Sequence, residues 1–73
     1  MSWTKSAGDR WTFRRSSDDP YTVKVFPRGD GRWVWEILAG DATNPTATGI
    51  ARNLGAAKTV STQLLERSFP AVT

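Results

Sequence analysis

The sequence predicts an α+β domain, a three- or four-stranded antiparallel sheet with one C-terminal helix packed on one face. Three observations carry that expectation. Apolar and polar residues alternate with period two in short runs between residues 10 and 51, and Asp30-Gly31 marks a hairpin turn between two of them. From residue 54 onward, apolar residues recur instead at spacings of three and four.

The first run, residues 10–14, places Trp11 and Phe13 on one side and Arg10, Thr12 and Arg14 on the other. Residues 16–20 read Ser-Ser-Asp-Asp-Pro, four turn-forming side chains ahead of a proline with no N–H for a ladder, and so predict a loop. A second strand follows at 21–26, with Tyr21, Val23 and Val25 on one face and Thr22 and Lys24 on the other. Pro27-Arg28-Gly29-Asp30-Gly31 joins it to a third, because glycine beside aspartate supplies the positive φ values a hairpin connection needs. In that third run, 32–38, Trp33, Trp35 and Ile37 share one face, while Arg32, Val34 and Glu36 share the other.

Residues 39–45 form another loop and lead to a weaker strand at 46–51, whose inward parity the sequence leaves open. Gly49 within it points to a close backbone approach. Asn53 is placed to cap a helix over 54–67, where Leu54, Ala57, Val60 and Leu64 make one apolar stripe. Gly55 weakens its first turn by about 1 kcal/mol relative to Ala, so this helix depends on docking, and Pro70 stops it. The expected organisation is a flexible N-terminal segment at 1–9, a single sheet-plus-helix domain at 10–69, and a tail at 70–73.

A chain of 73 residues supports one domain with a thin core. It contains neither Cys nor His, which removes disulfides, thiolate nucleophiles, zinc fingers and imidazole bases. Asp18-Asp19 is a turn rather than a catalytic carboxylate pair, since no base or activated nucleophile stands near it in sequence. A non-enzymatic binding module with no metal and no cofactor is therefore expected. The opening Met1-Ser2-Trp3-Thr4-Lys5 has no apolar h-region, and no stretch approaches the roughly 20 apolar residues of a membrane span. The expected location is cytoplasmic, with no membrane partner.

Ten Lys and Arg against seven Asp and Glu give a net charge of +3. The excess is localised: residues 1–35 hold seven cations against four anions, and residues 36–73 hold three against three. Seven of the ten cations are Arg, whose planar fork suits phosphate and guanine edges. A lone 14-residue helix is about 10 Å wide, whereas four strands at about 4.8 Å spacing span nearly 15 Å, so the helix covers one face only. The other face is then polar and largely basic. Arg10, Arg14, Lys24, Arg28 and Arg32 are the candidate nucleic-acid contacts, and Trp33 and Trp35 are core.

Gly31-Arg32-Trp33-Val34-Trp35-Glu36-Ile37 resembles the second-strand segment of plant AP2-type DNA-binding domains, in which Gly, a basic residue, an aromatic and Glu-Ile recur in that order. Trp35 stands where that family has a small residue, and Leu38 where it has a basic one. Those domains, and the similar arm-binding domains of phage integrases, lay a three-stranded sheet in the major groove with a helix behind it. The resemblance implies groove-facing positions for Arg32 and Glu36 and helix-facing positions for Trp33 and Ile37. Gly49 through Lys58 is also similar to the last strand and helix of double-stranded RNA-binding domains. The overall pattern looks like that of small phage and actinobacterial proteins, which implies an accessory role.

Two functional expectations result. The first is binding of nucleic acid, duplex in the first place, through the basic sheet face. The second is a protein-interaction module, such as a phage-type modulator of a host protein, that uses a sheet edge or an exposed Trp3 or Trp11.

Overall fold

The computed structural model describes residues 3–40 and 42–69, so the expected tail at 70–73 and the helix-stopping Pro70 lie outside the described residues. Five strands, β1 (Trp3–Ser6), β2 (Arg10–Phe13), β3 (Tyr21–Pro27), β4 (Trp33–Ala39) and β5 (Ala47–Ala51), precede one helix, α1 (Leu54–Ser68). The strands form a single antiparallel sheet in sequence order, each paired with its neighbours in the chain. The architecture is the expected antiparallel sheet with one C-terminal helix, enlarged by one strand.

The added strand is β1, drawn from the segment 1–9 that the sequence presents as flexible. It pairs with β2 from Trp3↔Phe13 to Ser6↔Arg10. The intervening turn takes positive φ at Gly8 (75°) and at Asp9 (56°), a left-handed conformation that Asp tolerates better than most side chains. In the β3–β4 hairpin the positive φ values belong to Gly29 and Gly31, while Asp30 holds the turn by accepting the Arg32 N–H on Oδ1 at 3.0 Å. Arg28 N–H closes the turn on the Arg32 carbonyl at 2.9 Å.

Register assigns the two faces. Trp3, Trp11, Phe13, Tyr21, Val23, Val25, Trp33, Trp35 and Ile37 share the helix side with the small residues Ala47, Gly49 and Ala51, which settles the parity of β5. Val23, Val25 and Ile37 are completely buried there, beneath Ala57 and Leu65 of α1. Gly49 leaves room for Trp35: a Cβ at this position would lie 2.5 Å from the indole Cζ2. That is the close approach the glycine signalled.

The helix begins as the sequence predicts, with the Asn53 side chain accepting the Ala56 N–H at 2.7 Å. Its inward stripe differs at two positions: Leu65, completely buried, lies deeper than the half-buried Leu64, and Val60 turns outward. Ser61 replaces Val60: Ser61 is completely buried, with its hydroxyl bonded to the Ala57 carbonyl at 2.7 Å, whereas Val60 is 44% exposed. A serine that returns its hydroxyl to the preceding turn enters an apolar layer at little cost.

Because α1 lies over β3, β4 and β5, the β1–β2 wing is roofed only by side chains. Trp3 packs on Phe13 with ring centroids 5.0 Å apart. The Lys58 ammonium sits 3.6 Å from the Trp11 ring centroid and 5.3 Å from that of Trp3. This helix lysine joins the wing to the helix through cation–π attraction while its alkyl stem covers apolar surface.

Candidate nucleic-acid interface

The face away from α1 carries the odd-and-even complement of the core pattern. Three cross-strand rows run through it. The first is Thr4–Thr12–Lys24–Glu36–Thr48 and spans all five strands; the second joins Phe26, Val34 and Ile50 across β3, β4 and β5, with Ser6 and Arg10 beyond Phe26; the third pairs Thr22 with Leu38, which is buried. Arg32 and Arg52 each stand one residue outside the Trp33↔Ala51 pair, where alternation keeps the parity of the open face.

The predicted cations separate into three groups. Arg10 and Lys24 occupy the open face itself, with the Arg10 guanidinium carbon 5.4 Å from the Phe26 ring centroid. Arg28 and Arg32 lie at the β3–β4 hairpin end. Arg28 is 3.4 Å from Asp30, but both side chains are about half exposed, a pairing that solvent and salt weaken readily. Arg14 serves a different purpose. Its Nη2 donates to the carbonyls of Ser17 at 3.2 Å and Asp19 at 2.7 Å, so it braces the loop at 14–20 and offers only its remaining donors at the rim.

Glu36 is half-buried and directly opposite Lys24, as alternation required, and it is the single acid among the strand residues of the open face. Sequence reasoning did not include Arg52, because the undecided parity of the fourth predicted strand hid which side it would join. Shallow depressions lined by Thr4, Thr12, Arg14, Ser16 and Ser17, and by Ser6, Arg10, Thr12, Lys24 and Phe26, set hydroxyls among the cations. Hydroxyls and guanidinium groups are the side-chain types that most often hold phosphate oxygens.

Trp3 and Trp11, the candidate anchors for a protein partner, are half-buried on the helix side and packed against Phe13 and Lys58. Among the described residues Asp19 is the buried acid, 2% exposed, and its carboxylate accepts from Arg15 Nε at 2.7 Å, Arg15 Nη2 at 2.9 Å, and the backbone N–H groups of Arg15 and Tyr21. The Arg15 hydrogen bonds, reinforced by those N–H groups, hold its pKa down to about 2.

Among the described residues no three Asp or Glu side chains gather as a metal site would need, and no helix is long and apolar enough to cross a membrane. Comparisons with protein-family models, curated proteins and solved structures gave no match.

Proposed function

We propose that the domain binds nucleic acid through the open face of its sheet, without chemistry of its own. The observation that carries this reading is the one-sided placement of α1, which leaves Arg10 and Lys24 on a broad face bordered by Arg28, Arg32 and Arg52. Phosphate contacts from these side chains supply affinity, and the Ser and Thr hydroxyls fix position. Arg32, at the hairpin end and without an ion-pair partner among the described residues, is the side chain with the freedom to reach a base edge.

If about four phosphates are neutralised, log K for a generic duplex falls with log salt at a slope near −3.6. Titration at several salt concentrations measures this directly. Lys24→Glu with Arg32→Glu is expected to abolish measurable binding, with the circular dichroism spectrum unchanged because both side chains are exposed. Salt-insensitive binding, or binding unaffected by the double change, overturns the reading.

A further inference from the structure

Among the described residues the two exposed large apolar side chains are Ile50, at 51%, and Val60, at 44%. Ile50 belongs to β5, the last strand of the sheet, and points to the open face. Val60 is on the helix side. At about 100° per residue, Val60 lies some 200° around α1 from Lys58, and Lys58 reaches toward β1 and β2. Val60 therefore faces the opposite flank, the one above β5.

The edge between them is unprotected. Natural sheets blunt free edges with charges, prolines, bulges or very short strands. β1, the other edge, has only four residues and carries Lys5, which is paired with Asp9 at 3.2 Å. β5 is Ala-Thr-Gly-Ile-Ala, five residues without a charge or a proline.

We infer that β5 is an interface and that its occupant is a second copy of this chain, paired antiparallel about a two-fold axis through Ile50. Self-complementarity is what selects this partner. In that register Ile50 meets Ile50 of the other copy, and the Phe26–Val34–Ile50 row continues into its own image. The same register sets Thr48 opposite Arg52 of the other copy. Arg52 then stands about 10 Å, two strand spacings, from Glu36 on the first copy, within reach of two long side chains. Among the described residues neither Glu36 nor Arg52 has an ion pair within one chain, and the symmetric contact gives both a partner twice over. The axis runs perpendicular to the sheet, so both helices lie on one side and both open faces merge on the other, with the Val60 flanks turned toward each other.

Sedimentation of the full chain without nucleic acid tests this independently of the binding reading. The expected result is a concentration-dependent approach to twice the monomer mass, with β5 amides gaining protection from hydrogen exchange over the same range. Ile50→Lys, at an exposed side chain, is expected to weaken association at least tenfold, while Thr4→Lys on the β1 edge leaves it unchanged. Glu36→Lys weakens association, and combining it with Arg52→Glu restores it. A monomer at every concentration, an assembly that survives Ile50→Lys, or protection confined to β1 overturns the inference.

Discussion

Replacing Asp19 with alanine is expected to destabilise the domain by about 3–5 kcal/mol, because Arg15 would then be held in the fold without its counter-charge. Asp19 is completely buried at its side chain and Arg15 is 12% exposed, so water cannot replace the lost bonds without reopening the loop. The loss is large relative to the whole. A domain of this size is stable by about 4–11 kcal/mol, so the loss is a large share of the total and, at the low end of that range, all of it. Thermal denaturation measures the change. Replacing both partners with apolar residues, as in Arg15→Met with Asp19→Leu, is expected to recover a substantial part of it, since neither charge is then orphaned.

The same pair sets an acid limit. Asp19 has its pKa lowered from 3.8 to about 2. A lowered carboxylate pKa contributes stability that is complete above the unfolded value and disappears as the pH falls through the folded one. On the order of 2 kcal/mol is therefore lost progressively between roughly pH 5 and pH 1. Denaturation midpoints measured across that interval should fall with acid, and the Asp19→Ala variant should show a flatter profile. Equal slopes in the two proteins would contradict the assignment.

Gly49→Ala is expected to cost up to about 3 kcal/mol, the upper part of the range for overpacked cores. The new Cβ would lie 2.5, 2.6 and 2.8 Å from Cζ2, Cε2 and Nε1 of Trp35. Neither side can yield easily: β5 is held by β4, and the indole, 8% exposed, is wedged between sheet and helix. Trp35→Leu removes the ring that collides and should rescue Gly49→Ala in a double-variant cycle, although it costs stability alone. Additive losses in chemical denaturation would show that the glycine is needed for a backbone reason instead.

The legibility of the fold varied with how much each strand contributes to the core. β3 and β4 show clean alternation because both lie in the middle of the sheet and bury one full side, and Asn53 with its downstream apolar spacing marked α1. β1 was hidden because its inward positions are Trp3 and Lys5, and the lysine, exposed in the fold as well, breaks the apolar alternation that marks a strand. The helix stripe was misplaced at Val60 because hydrophobicity alone cannot register a serine whose hydroxyl is satisfied by its own helix.

The candidate face was readable by parity at Arg10, Lys24 and Glu36. Which arginines stay free was not readable, since the engagement of Arg14 depends on where the carbonyls of Ser17 and Asp19 come to rest. Asp19 itself appeared only as a turn former. Its neighbour Asp18 is exposed, and nothing local to the two distinguishes them.

The order of elements also has a kinetic consequence during synthesis. All five strands precede α1, so neighbouring strands can pair as they emerge, before the helix is there to shield Val23, Val25, Trp35 and Ile37. Until α1 docks, the greasy side of the sheet is bare, and it is then that this protein is most open to capture by a chaperone or by another unfinished copy.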